Sequence, residues 1–339
     1  MKKQKKSRAR AISCDLGPLE NMILIRDREG RLPDWCTPLT APVWLSAHDA
    51  RHMRPEDPVL GLLVEGKPYA LPWWMMKNHH VANLTLEGRP ILVTLCEVCS
   101  GAAAFHPVLD DRRLTFRVEG GFNGTFITTD YETGSLWAPF TGEALHGPLQ
   151  GARLERLSLY QATWAEWTAF YPTSLVPDGE GESREGHGSD RRPGSLETGG
   201  RLFKTLLHRD ERLPHNELVL GVESNGQARA YPLTRLHQVG QVLNDSLGGR
   251  AIVIFSKPQS WMAVAFSRDL DGDCLEFEVG EDGSIVDRNT RSRWDLSGQA
   301  SSGPLAGRTL SFVPSGIEEW YTWAASHHNT EIFDGTSPS

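Results

Sequence analysis

Cysteine is scarce in this chain. Five occur in 339 residues, as Cys14, Cys36, Cys96, Cys99 and Cys274. So thin a set excludes a disulfide framework. Cys14, Cys36 and Cys274 stand alone and read as small hydrophobes or spectators. Long apolar runs are missing too. Nothing approaches the ~20 residues of a membrane span. The basic start, Lys2 to Arg10, has no 7–15-residue apolar segment behind it, so it reads as a solvated tail rather than a signal peptide. Positive charge is not in excess: the net charge is −8, which argues against a nucleic-acid-binding face. No Gly-rich phosphate loop, Ser-centred nucleophile elbow or second Cys-x-x-Cys is present. The few cysteines fit the cytoplasm best; the expected partner, under the enzyme reading below, is a small-molecule substrate, and the oligomeric state stays open.

Aromatics are plentiful. With 11 Trp, 12 Phe and 39 % hydrophobic residues, the chain has enough apolar bulk for two cores. It also matches itself. Gly61, Gly66 and Pro72 align with Gly221, Gly226 and Pro232 at an offset of 160. Asn83, Arg89, Phe105 and Phe116 align with Asn244, Arg250, Phe266 and Phe277 at 161. Asp130, Thr133, Ser135 and Trp137 meet Asp287, Thr290, Ser292 and Trp294 at 157, and Gly147, Trp164 and Trp167 meet Gly303, Trp320 and Trp323 at 156. Offsets that drift by so little indicate a duplication with loop-length changes. The expected organisation is a tail and lead-in over residues 1–57, a first repeat over 58–175, a linker over 176–216, a degenerate second repeat over 217–332 and a short tail over 333–339.

Within each repeat the pattern is mostly strand. Leu60–Val64 and Ile91–Leu95 are short apolar runs, residues 113–118 alternate with period two, and Asn123-Gly124 marks a hairpin turn. Helices are expected at Trp73–Asn83 and at Thr163–Phe170, the second capped by Thr163. The fold class is therefore α+β and strand-dominated, as two tandem, pseudosymmetric, barrel-like β-rich repeats with short helices. Residues 177–194, rich in Gly and charge, read as a flexible linker.

The repeats differ where chemistry is expected. Cys96 and Cys99 close an apolar strand, and their counterparts are Lys257 and Ser260. A strand ending in a turn leaves backbone N–H groups free to stabilise a thiolate. In the cytoplasm a close cysteine pair is more often metal-binding or catalytic than structural. Three readings stay open: an inert buried pair, a soft-metal site for copper or zinc, and a redox or nucleophilic thiol pair. His79 and His80 precede the same strand and become Gly240 and Gln241 in the second repeat, so they are candidate ligands. His80, with both cysteines, is a candidate catalytic residue. His106, replaced by Ser267, is a weaker candidate for substrate contact, as are Asp130 and Trp137. The Asp130–Trp137 turn is kept in both copies, which favours an architectural role.

With these residues in view, the chain from about Pro58 to Ile332 resembles a bacterial family of unknown function. That family carries a Tyr-Cys-Pro-Leu-Cys-Gly-type strand end, a His-Glu-Ile-Val-Asn-Asp-type segment, an Asp-Arg-x-Thr-x-Ser-x-Trp turn and a Gly-Pro-Leu-x-Gly motif. The matches here are Cys96-Glu-Val-Cys99-Ser-Gly101, His79-His80-Val-Ala-Asn83, Asp130-Tyr-Glu-Thr133-Gly-Ser135-Leu-Trp137 and Gly147-Pro-Leu-Gln-Gly151. Glu97, Ser100, Tyr131 and Leu84 depart from the pattern, as a changed or specialised substrate would entail. The resemblance brings no settled activity. The expected function is a metal-dependent enzyme, oxidative if the metal is copper. Thiol–disulfide oxidoreduction, or a binding module with a structural metal, is the alternative.

Overall fold

Short apolar runs separated by two-residue turns fold into hairpins. In the computed structural model, which describes residues 19, 21–24, 37–184 and 202–336, Pro58–Val64 pairs antiparallel with Lys67–Pro72 around Glu65-Gly66. Both turn residues have positive φ, 49° and 75°, the geometry that matches the right-handed twist of the strands it joins. The same hairpin forms from Leu218–Ser224 and Gln227–Pro232 around Asn225-Gly226. In each half a short helix follows: α1 (Trp73–His79) and its counterpart α3 (Leu233–Val239). Helices α2 (Trp164–Phe170) and α4 (Trp320–Ser326) close the two halves.

The expected strand-dominated class holds, with thirty strands and four α-helices among the described residues. The barrel does not. In the first half, one sheet joins Pro58–Val64 and Lys67–Pro72 to Tyr160–Thr163, Leu175–Pro177 and Trp44–Ser46. A second joins Val81–Leu86, Arg89–Cys96 and Gly101–His106 to Leu39–Thr40 and Glu155–Leu157. A third is built on Phe116–Phe122 and Thr125–Asp130. None of these sheets closes on itself. Their outer strands are two to four residues long, too short to carry the pairing round a barrel. Closure of the faces comes instead from packing. One apolar core joins Val59, Leu71 and Trp167 of the first half to Val253, Phe255 and Trp294 of the second.

Three local differences from the sequence reading have physical causes. Helix α1 ends at His79 rather than Asn83, because His80 takes a left-handed conformation (φ 63°) and Val81 begins a strand. Asn83 lies in that strand, where its side chain bonds both backbone groups of Phe116 at 2.8 and 2.9 Å. The lead-in is not separate, since Leu39–Thr40 and Trp44–Ser46 are edge strands of the first half. Nor is the start of the linker loose. Arg184 pairs with Asp57 at 2.7 Å and lies 4.6 Å from the Trp74 ring centroid, while Glu182 bonds Asn78 and His79. Charge and glycine made the segment look solvated, but its charges are the groups that fasten it.

The matched aromatic helices fix a tight contact in each half. A Cβ on Gly61 would lie 2.3 Å from the Trp167 indole, and one on Gly221 would lie 2.2 Å from that of Trp323. Only a glycine lets each indole lie flat on its strand. No helix among the described residues is long and apolar enough to cross a membrane.

Candidate functional site

The strand Arg89–Cys96 ends at a four-residue turn, and Gly101 then pairs back against Cys96. Ser100 has a positive φ of 54°, which folds the chain tightly enough to bring Cys99 under Cys96. Both thiols are free and buried, Cys96 at 1 % exposure and Cys99 at 0 %. The Cys99 thiol contacts the Cys96 carbonyl at 3.8 Å and the Thr125 hydroxyl at 3.7 Å.

The two sulfurs are electrostatically unlike. Burial opposes ionisation of Cys96. Hydrogen bonds from the Cys99 thiol, the Thr125 hydroxyl and the backbone N–H groups of Cys99 and Val98 overcome it and hold its pKa below the ordinary thiol value. Cys99 moves the other way, pushed well up by burial, by its bond to Cys96 and by the charge on that sulfur. The turn thus couples two buried thiols, and the backbone N–H groups of Val98 and Cys99 favour charge on Cys96.

The rest of the site comes from the second half. The strand Ser315–Glu319 packs on Gly101–His106, and the Glu319 backbone N–H donates to the Cys99 carbonyl at 2.9 Å. Gln161 crosses the seam and donates to the Ile317 carbonyl at 2.8 Å. Three polar side chains face the turn from this side. The Glu319 carboxyl accepts from the Ser100 hydroxyl at 3.1 Å, and burial pushes its pKa up to about 8. Burial also raises the Glu318 carboxyl. The Tyr321 hydroxyl donates to the Gly124 carbonyl at 3.3 Å, and Tyr321 packs in the same apolar cluster as both cysteines. Behind them, burial opposes ionisation of Glu223, but a bond from His327 and the charges of Arg156 and Arg153 hold its pKa down to about 2.

A cavity of about 230 Å³ opens on the same seam, with Phe122, Phe126, Phe140, Thr125, Arg153 and His327 among its walls. Thr125 is the partition, one face toward the cavity and its hydroxyl against Cys99.

The structure gathers only part of the set expected from sequence. Cys96 and Cys99 lie together. The His80 carbonyl accepts from the N–H of Leu95, the residue before Cys96, and its ring is edge-on to Phe126 at 5.7 Å. His79 turns elsewhere, with Nδ1 on the Thr37 carbonyl at 2.6 Å and Nε2 on Glu182 at 2.8 Å. His106 sits at the far end of its strand, on the Pro90 carbonyl at 3.1 Å. Asp130 accepts bonds from Thr133, from Ser135 and from the Trp137 indole at 2.9 Å, all within its own turn. The turn of Asp287, Thr290, Ser292 and Trp294 repeats that network almost bond for bond. Among the described residues, no three His, Cys, Asp or Glu side chains are grouped to hold a metal ion. Cys14 and Cys36 lie outside the described residues.

Glu318, Glu319 and Tyr321 escaped the sequence reading. The signal was present: at an offset of 156 they stand where the first half has Ala162, Thr163 and Ala165. Cysteine and histidine stand out as groups lost from the second copy, whereas these are groups the second copy gained.

Seen whole, the chain is a strand-dominated protein with a buried dithiol at the seam of two similar halves. It belongs to the family described as "Protein of unknown function (DUF3179)", whose model matches residues 34–330. No curated protein and no solved structure matches it.

Proposed function

We propose that the protein is a thiol-dependent oxidoreductase that reduces a small oxidised molecule at the Cys96–Cys99 pair. The observation that carries this reading is the geometry of the turn: two free, buried thiols three positions apart, with the Cys99 thiol against the Cys96 carbonyl and the Thr125 hydroxyl, so that one sulfur can attack and its neighbour resolve. Cys96 attacks the terminal oxygen of a hydroperoxide. The O–O bond breaks, its electron pair leaves on the alkoxide, and Cys96 becomes a sulfenic acid. Cys99 then attacks the Cys96 sulfur, water leaves, and a disulfide remains. Two electrons have passed to the substrate, and a small external dithiol returns them.

Burial sets the substrate class. Sulfurs at 1 % and 0 % exposure are closed to a protein disulfide, so the substrate is small enough for the 230 Å³ cavity behind Thr125. A reducing compartment such as the cytoplasm would keep the pair in its working form. The test is to treat reduced protein with hydrogen peroxide or a small alkyl hydroperoxide, then map the thiols by mass spectrometry. A Cys96–Cys99 disulfide that dithiothreitol reverses is expected. Thiols that stay reduced while Cys274 oxidises would rule the reading out.

A second reading is favoured by the sulfurs being adjacent and free. Two thiolates suffice for Cu(I), whereas zinc takes more protein donors than are grouped there among the described residues. Copper retained at one equivalent by anaerobically purified protein, and lost in Cys96→Ser, would favour it.

A further inference from the structure

Oxidation of a buried dithiol raises a question of charge. In the proposed cycle the attacking thiolate of Cys96 carries one negative charge, and the disulfide carries none. A site closed to water has to leave that charge on another group. Resting on the dithiol reading, we propose that Glu319 is this group: its carboxyl gives the proton that the leaving alkoxide needs and then carries the charge until the pair is reduced again.

Position argues for it. Glu319 occupies the residue just before α4, where its counterpart Thr163 caps α2 through a reciprocal bond with Glu166. Glu319 makes no such cap. Its side chain is instead buried at 0 % exposure against the thiol turn, with one oxygen on Ser100 and the other, Oε2, without any hydrogen-bond partner. A fully buried carboxyl oxygen with nothing to bond is costly, and it is tolerated where a reactant completes it. Among the described residues no Lys, Arg or His forms an ion pair with it. Its ionisable surroundings are Cys96 and Cys99 from the turn, and Glu318 and Tyr321 from its own segment. Arg156 lies further along the seam, where Glu223 and Glu318 share its charge. Burial and the Cys96 charge both keep Glu319 protonated at neutral pH.

The cycle balances. Thiolate, thiol, carboxylic acid and hydroperoxide give disulfide, alcohol, water and carboxylate. One negative charge enters on sulfur and leaves on oxygen. Reduction by a dithiol returns two protons, one to Cys99 and one to Glu319.

The test pairs a rate with a titration. Glu319→Gln keeps the shape and removes the proton. Glu319→Thr restores the cap of the first half and guards against a variant that fails to fold. In the wild type, peroxide oxidation of Cys96 is expected to fall above about pH 8. Both variants should react at least about tenfold more slowly at pH 7 and lose that fall. Infrared difference spectra should show a protonated carboxyl band that disappears near the same pH and is missing from both variants, whatever band Glu318 contributes. Wild-type rates and profiles in the variants would overturn the assignment, as would the absence of a titrating carboxyl. Wild-type thiols that peroxide leaves reduced would sink the dithiol reading itself. The carboxyl band, if still present, would then identify a buried acid with no thiol cycle to serve.

Discussion

The halves of this protein meet at two matched seams, and among the described residues one of them carries a pair of thiols and the other does not. At the first, Cys96 and Cys99 face Glu319. At the second, the residue matching Cys96 is Lys257, and it pairs with Glu166 at 3.1 Å, on the helix that matches α4. Backbone and element order are shared, yet at the first seam two buried thiols lie beside a buried carboxyl. The second is partly open, with Lys257 at 38 % side-chain exposure, and holds an ordinary ion pair. A matched scaffold keeps what packing needs and leaves the two seams free to diverge. The Asp-Thr-Ser-Trp turns and the Gly–Trp contacts are kept twice, and the groups that titrate abnormally around sulfur occur once.

The largest break in that comparison is expected from cysteine. Cys96→Ser should abolish peroxide-driven disulfide formation, and Cys99→Ser should stop the reaction at sulfenic acid, which a dimedone adduct on Cys96 would reveal. Lys257→Ala and Ser260→Ala, at the matching positions, should leave the reaction unchanged. A dead Lys257→Ala variant would show that the second seam takes part.

Next comes the pH dependence of stability. Glu319 has a folded pKa of about 8 against an ordinary 4.5. A raised pKa means that its contribution is whole below pH 4.5 and is lost as pH rises toward 8, because the unfolded chain ionises freely and the folded one does not. Each pH unit within that window removes up to roughly 1.4 kcal/mol. Glu319→Gln should therefore gain on the wild type steadily from pH 5 to pH 8 in chemical denaturation. Parallel curves would mean that the carboxyl is relieved by water.

The glycine contacts should behave alike in both halves. A methyl group at 2.3 Å from Trp167 or 2.2 Å from Trp323 must displace a fully buried indole, and overpacking of this kind costs about 1–3 kcal/mol. Gly61→Ala and Gly221→Ala should each lower stability by that order in urea melts. A loss confined to one of them would mean that the two halves are not packed by the same rule.

How much of this was legible in the sequence depends on range. Hairpins, the Thr163 cap and the thiol turn are local, and they were read from neighbouring residues. The open sheets were not, because closure depends on how far the outer strands extend, which residues such as Leu39 and Glu155 do not reveal alone. The segment ending at Arg184 looked like linker because its partners, Asp57 and Trp74, lie more than a hundred positions away. His79 looked like a ligand because it is adjacent in sequence to His80, yet the left-handed residue ending α1 sends the two rings in different directions. Glu319 was invisible for a related reason. Its meaning comes from Ser100 and Cys96, which lie across the seam, and nothing local distinguishes it from a surface glutamate.

The smallest expected effect tests the second seam alone. Burial opposes ionisation of Glu166, but the Thr163 N–H, the Lys257 ammonium and the Thr163 hydroxyl together hold its pKa below the ordinary value. A depressed pKa contributes stability above pH 4.5 and loses it as pH falls through the folded value, the reverse of Glu319. Because Lys257 is more than a third exposed, water and salt screen most of the attraction, and Lys257→Ala should cost no more than about 0.5 kcal/mol at pH 7. That cost should vanish in strong acid and shrink in high salt. Glu166→Ala should cost more, about 1 kcal/mol, because it also removes half of the box that caps α2. If Lys257→Ala proved the costlier of the two, the pair would be holding the halves together, and the second seam would be an interface device rather than a relic of a shared plan.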